Sequence, residues 1–534
     1  MKTVFPVIIT TLISFSSPSA LAQRYLSPVF DEVETLTDIA YGANYTVVTV
    51  PITGHSTLQE LKMDVYLPVG DTENNRPLAL FFHGGNFLPI AANMLTTGTR
   101  SDSLAVEVCT QLAKMGYVAA SVDYRLGWNP LLPNAVEVAS GMVQAVYRGV
   151  QDARTCIRYF RKTVEEAGNP YGICHERIVL MGEGSGGIIA LASATLDDYT
   201  DFLLPKFIGP DITGDGIPDP MVVPSIHGDL NGESLIGLHP FNGDTLALPN
   251  HPGHSSESQL CVNIGGVLLD TSWLDAGDPP ILSFHVPNDP LLPYQLGFMI
   301  NHPGSSILEV FGSWSVAWRA DQLGTNLIFT DANIHDVFTD AANAHNEGYE
   351  GLFPFLRPCW INPFNNTSAC ESTPWAWWDA TYWSQQPHTT CQLLGLPISE
   401  CNRHSMALIH NQDMSAEKGR TYTDSIIGYF APRAFHALAL EGACFTQTEK
   451  AERGPALQVA CYPNPAPGTV VFTSENGQPM LAIQLYNLSG QLMKNIARLD
   501  STVQELDLAG LPRGIYIAKI QFAEGVLSKK ISLE

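Results

Sequence analysis

Between about Val47 and Leu356, short continuous apolar runs alternate with longer stretches of helical period. Pro77–Phe82, Tyr117–Val122, Arg177–Met181, Pro280–His285 and Asn326–Thr330 read as strands buried on both faces, because each is apolar without strict alternation. Leu104–Met115 and Val143–Glu166 carry apolar positions at helical spacing and precede the second and third of these strands. Strands and helices in alternation predict an α/β fold, a mostly parallel sheet covered by helices on both faces. Two stretches interrupt the alternation and read as insertions. Residues 197–260 are rich in Gly, Pro, Asp and His, and 358–430 holds Trp360, Trp375, Trp377, Trp378 and Trp383. Beyond Gly454-Pro455 the pattern turns to short alternating strands between Gly and Asn turns, which predicts a linker and a small all-β domain over 454–534.

The first residues follow a different rule. Lys2 gives a positive start, Val4–Phe15 an apolar stretch, and Ala20-Leu21-Ala22 a small-x-small cleavage site before Gln23, the features of an export signal over 1–22. Nothing after Gln23 approaches ~18 uninterrupted apolar residues, so no transmembrane segment is expected in the mature chain, whose main domain then runs over 23–453. Export to an oxidising compartment and ten cysteines, an even number, predict disulfides. Cys359, Cys370, Cys391 and Cys401 lie close enough in sequence to staple one loop region, and no pair has the CxxC spacing of a zinc site. Spacing leaves the pairing open.

Charge narrows the partners. Fifty-three acidic against 28 basic side chains give −25, which repels nucleic acid and polyphosphate and leaves neutral, apolar or cationic ligands. Residues 461–534 hold six of each sign, so the whole deficit lies in the first 460 residues.

Four motifs then fall in one order. His83-Gly84-Gly85-Asn86-Phe87 follows a buried strand, Asp123-Tyr124-Arg125-Leu126-Gly127 follows another, and Arg177-Ile-Val-Leu-Met-Gly-Glu-Gly-Ser-Gly-Gly187 follows a third. Pro279–Tyr294 supplies a strand and a turn around Asp289. Together they resemble an α/β-hydrolase of the carboxylesterase kind over residues 45–356. The resemblance implies an ester hydrolase that needs no cofactor and acts on a neutral or apolar small-molecule or polymer ester. It implies an oxyanion hole built on backbone N–H groups of Gly84, Gly85 and Gly186, and Asp289 as the acid that orients a histidine. His345 and His335, after the apolar run at 326–330, are the candidate bases. Asp152, on the helix before the elbow strand, reads as a structural ion-pair partner.

The nucleophile elbow admits two frames. Aligned without gaps, the family pattern Gly-Glu-Ser-Ala-Gly-Gly falls on Gly182–Gly187 and puts Gly184 where the serine belongs. The other frame makes Ser185 the nucleophile and sets bulky Glu183 at a position the tight turn reserves for a small residue. The expectation is a serine esterase using Ser185, Asp289 and His345. The alternative is a catalytically impaired, hydrolase-like binding protein in which Gly184 has replaced the nucleophile.

Two loops carry both a sharp and a plain reading. Asp211, Thr213, Asp215 and Asp219 surround a glycine turn and resemble a calcium loop without its downstream Glu; the plain reading is an Asp/Gly surface loop. The five tryptophans at 360–383 make either a lid over a ligand or the small core of a stapled insertion.

In the tail, Tyr462-Pro463-Asn464-Pro465, Leu485–Gln491, Leu511–Tyr516 and Lys529-Lys530-Ile531 resemble the type A sorting domain of the Bacteroidetes type IX secretion system. A carbohydrate-binding sandwich fits less well, since this tail has no tryptophan. The resemblance implies passage through periplasm and outer membrane to the cell surface or the medium, with the secretion machinery as partner.

Overall fold

The computed structural model describes residues 23–301, 305–362, 366, 368–442, 444, 459–474, 477–487, 492–522 and 525–533. The export signal at 1–22, the Gly454-Pro455 boundary and the Ser489–Gln491 end of one tail motif lie outside them.

An eight-stranded sheet organises the body: β1 (Val33–Thr46), β2 (Thr57–Pro68), β3 (Arg76–Phe82), β4 (Val118–Val122), β5 (Ile173–Glu183), β6 (Leu260–Ile264), β7 (Ile281–His285) and β8 (Leu352–Pro354). Their order across the sheet is β1-β2-β4-β3-β5-β6-β7-β8. β1 and β2 pair antiparallel at one edge, and β4 through β8 run parallel. β3, β4, β6 and β7 are buried along their whole length, as unbroken apolar runs require when helices cover both faces.

One face carries α1 (Ser103–Lys114), and the other carries α2 (Ala135–Glu166) and α3 (Ser185–Thr195). Later come α4 (Ser313–Leu323), α5 (Leu327–Ala332) and α6 (Ala416–Ala437), the last packed in the same core as α1. Asp152 on α2 bonds Arg125 just after β4: its carboxylate accepts from the Arg125 backbone N–H (2.7 Å) and Nε (2.9 Å), both residues fully buried. The pair ties the helix layer to the strand ends that face the site.

Three expectations are corrected. Asn326–Thr330 is no strand; α5 occupies that run, because six apolar-rich residues fit a helix turn as well as a strand. The last strand is Leu352–Pro354, too short to stand out by pattern, and β1 and β2 were not expected at all. The second insertion stops earlier than 430, since α6 begins at Ala416 and belongs to the core layer.

Cys359–Cys370 and Cys391–Cys401 staple that insertion, and Cys174–Cys444 ties β5 to the chain beyond α6. Among the tryptophans, Trp375 and Trp378 are buried in the core with Phe355 and Phe430, so at least these two are structural.

The tail forms a three-stranded sheet (Val459–Tyr462, Thr469–Ser474, Val503–Asp507) and a four-stranded sheet (Met480–Asn487, Leu492–Ser501, Gly514–Phe522, Gly525–Leu533). Phe472, Ile483, Leu485, Ile520 and Ile531 fill a core of its own. Deleting residues 461–534 is therefore expected to leave the thermal transition of the body in place. Aggregation of the truncated chain, or loss of its transition in calorimetry, would show that the tail completes the body's core.

Candidate active site

β5 runs through Gly182 to Glu183, turns at Gly184 and enters α3 at Ser185. The turn is as tight as the backbone allows. A Cβ on Gly182 would overlap the Gly186 carbonyl, and one on Gly186 would overlap the Phe82 carbonyl at the end of β3. The two positions that must be glycine thus flank residue 184 symmetrically, at minus two and plus two. Gly184 itself has φ 55° and ψ −114°, a left-handed backbone that side chains rarely adopt, and its N–H donates to Ile264 O on β6 (2.9 Å). It is the apex. A Cβ there would meet only Gly84 Cα at 3.9 Å, so the space for a side chain is present and unfilled.

Ser185, expected as nucleophile, stands instead on the first turn of α3 and is 5% exposed. Its Oγ lies 3.0 Å from the Tyr124 hydroxyl. Tyr124 donates to His83 O (2.9 Å), which leaves Ser185 as the donor of the pair and its proton committed beneath the turn. Gly186 is the residue that crosses Phe82 O, and on the gapless frame the N–H after the apex belongs to Ser185.

The His83–Gly85 loop forms the opposite wall. A Cβ on Gly84 would collide with the Glu183 carboxylate, and Gly85, at φ 105°, leaves no more than 2.6 Å between such a Cβ and Gly98 Cα. The His83 ring is buried, stacks on Tyr124 at 4.7 Å, and sets Nδ1 2.7 Å from Gly84 O with Nε2 3.5 Å from Asp123. Burial disfavours its charged form, but the Asp123 carboxylate outweighs that and raises the imidazole.

Glu183 is the group that motif reading undervalued. Its carboxyl accepts from the Trp375 indole N–H (3.4 Å) and leans on the Gly84 backbone. Burial pushes it up to about 7, and the charge of Asp102 adds to this against the indole, His83 and Gly84. Asp289 follows β7 at the acid position. Its Oδ1 accepts from the Leu291 (2.8 Å) and Leu292 (3.1 Å) N–H groups, and burial, helped by the Glu183 charge, lifts the carboxyl to about 7. A narrow cleft lined by His83, Gly84, Asp102, Glu183, Ala376 and Trp377 lies beside Glu183, with enclosed room for about one water molecule.

Among the described residues no base joins these groups. His335 and His345 are both exposed, and both lie on the segment between β7 and β8, before the last strand. Among the described residues no hydrogen bond or ion pair links either to Asp289 or to Ser185. The chain after β8 brings Trp375 to Glu183, its ring packed against Gly265. The one histidine beside the acid turn, His285, bonds Ser313 Oγ (2.8 Å) and Leu292 O (3.2 Å), and burial lowers it to about 4. It is structural.

The Asp211–Asp219 loop folds on itself. Asp211 accepts from the Gly214 and Gly216 N–H groups, Asp219 from those of Ile212 and Thr213, and Asp215 from that of Ile217. The carboxylates serve as turn acceptors, and among the described residues no three metal-ligating side chains converge.

With the geometry in view, the comparisons give a family context. Residues 63–206 match the family model BD-FAE, an α/β-hydrolase esterase family, and residues 460–534 match the secretion system C-terminal sorting domain. Among solved structures, Thermogutta terrifontis esterase 2 phosphorylated by paraoxon is 19% identical over 49% of this chain and 73% of its own, with a TM-score of 0.29. The propionate-bound Est2 of the same species is 19% identical over 49% and 74%, with a TM-score of 0.28. Its apo form is 18% identical over 49% and 74%, also at 0.28. No curated relative matches the chain. The body has the α/β-hydrolase fold, and the tail is a type IX sorting domain that routes the protein to the cell surface or the exterior. Among the described residues no helix is long and apolar enough to cross a membrane.

The two carboxyls held near 7 make a pH prediction. Folding raises Glu183 above its ordinary 4.5, so the folded state binds the proton more tightly than the unfolded chain. That contribution favours the fold in acid and is lost as pH climbs through about 7. Glu183→Gln is expected to raise Tm at pH 8 and to lose most of that gain by pH 5. An equal gain at both pH values would show that the charge is already neutralised.

Proposed function

We propose that this exported hydrolase-fold protein is a non-catalytic binding domain, which keeps the cleft of an esterase and has lost serine attack. The observation that carries this reading is the glycine at the apex of the elbow. Acyl transfer needs a hydroxyl at the apex, a base within hydrogen-bond reach and an acid to orient that base. Here the apex has no side chain, the acid position faces Glu183, and an indole comes from the chain after the last strand. The oxyanion wall survives, but stabilising a developing charge has no effect unless an attack creates one. The ligand is neutral, apolar or cationic, since Asp102 and Glu183 line the cleft and the whole chain carries −25.

The esterase-family match over 63–206 favours a second reading, a carboxylic ester hydrolase that uses Ser185 with Asp289 and a histidine such as His345. The two readings part on one experiment. A fluorophosphonate probe is expected to leave the folded protein unlabelled, and an activated aryl ester is expected to hydrolyse at the buffer rate with or without Ser185→Ala. Labelling mapped to Ser185, together with an activity that Ser185→Ala abolishes, would overturn the binding reading.

A further inference from the structure

The wall of the cleft is held in a conformation that its own residues disfavour. Within the loop that follows β3, three residues other than glycine sit in the left-handed region: Asn86 at φ 57°, Phe87 at 55° and Met94 at 61°. Such a backbone is disfavoured for an L side chain and persists only where the surroundings over-determine it. Part of the hold is local. The Gly127 N–H and the Trp128 indole N–H reach the carbonyls of Phe87 and Asn86 at 2.8 Å, and Asn93 Nδ2 donates to Thr97 O at 3.0 Å.

The rest comes from a distant part of the chain. Arg403, 8% exposed, extends its guanidinium into the same loop, with Nη1 donating to Ile90 O (2.6 Å) and Leu95 O (3.2 Å) and Nη2 to Ala91 O (3.2 Å). Its Nε reaches Pro387 O at 3.3 Å, and its plane lies 5.4 Å from the Trp383 ring. Among the described residues the cation has no carboxylate partner. Its bonds gather the free carbonyls at the end of the short Ile90–Asn93 turn, which would otherwise lack donors.

Residues 379–407, which carry Arg403, are built as a unit. Cys391–Cys401 closes them, and their three short helices are each capped from within, by Asp379, His388 and Asn402. We propose that residues 379–407 are a strap that latches the 84–97 loop through Arg403, so that this one side chain sets how open the cleft over Gly184 is. The latch stands whether or not Ser185 is catalytic. A planar donor that spans three carbonyls at once suits it, and the single ammonium of a lysine does not.

The test follows hydrogen exchange in the full chain. Arg403→Ala is expected to speed exchange of the amides at 84–95 by about tenfold or more, with β3, β5 and β6 unchanged, and Arg403→Lys to fall between it and the wild type. A Gly184→Cys thiol is expected to react with iodoacetamide about tenfold faster when Arg403→Ala is added. If Gly184→Cys fails to fold, the exchange measurement decides alone. Unchanged exchange at 84–95, or an equal acceleration across the sheet strands, would overturn the latch.

Discussion

The site depends on one constraint: the backbone of α3 must pass over the ends of β3 and β5 with no side chain between them. Gly182, Gly186 and Phe82 O meet there at distances that exclude a Cβ. That contact fixes the strand–turn–helix and the left-handed apex, and it brings the Gly84–Gly85 loop against the Glu183 carboxyl. The buried Arg125–Asp152 pair holds the neighbouring strand end to α2 in the same register. The architecture of attack is therefore independent of the attacking group. A fold of this kind can lose its serine and keep every contact that positioned it.

On the proposed binding reading, an apex without a hydroxyl also removes the reason for the rest. A histidine near the elbow is useful only if it can exchange a proton with a nucleophile, and Asp289 only if it orients that histidine. In this chain the connection after β8 places Trp375 on Glu183, and Asp289 turns its oxygen back to its own loop N–H groups. Both are stable arrangements for groups without a proton to pass. The raised carboxyls fit the same picture, because burial that outweighs their charge partners holds them partly protonated near neutral pH.

Much of this was legible before any coordinates. Unbroken apolar runs gave β3, β4, β5 and β7 because burial on both faces leaves no room for alternation, whereas β6, at the end of the expected 197–260 insertion, was missed, and the His83-Gly84-Gly85 and Gly182–Gly187 motifs gave the elbow because crowding admits only glycine there. The gapless frame could be read too, since Glu183 cannot occupy a position that excludes a Cβ. The base could not. Its absence depends on where the last strand lies, and that strand is three residues long, while the apolar run at 327–332 that looks like it is a helix. Moving the last strand past His335 and His345 takes both from the loop that a base must occupy. The roles of Trp375 and Arg403 were equally hidden, because contacts across 192 and 313 positions leave no periodic mark.

The electrostatics set what such a cleft can accept. Asp102 and Glu183 line it without a Lys or Arg ion pair among the described residues, Asp289 adds its charge to that of Glu183, and His83 is engaged with Asp123. An anion would enter against these carboxyls in a poorly solvated space, where repulsion is screened far less than at the surface. A neutral ligand meets acids that can donate a hydrogen bond while protonated, and a cation would draw them into the charged form and release protons as it binds. On the proposed binding reading, the protonation of these carboxyls, and not a nucleophile, decides the charge of whatever the cleft holds.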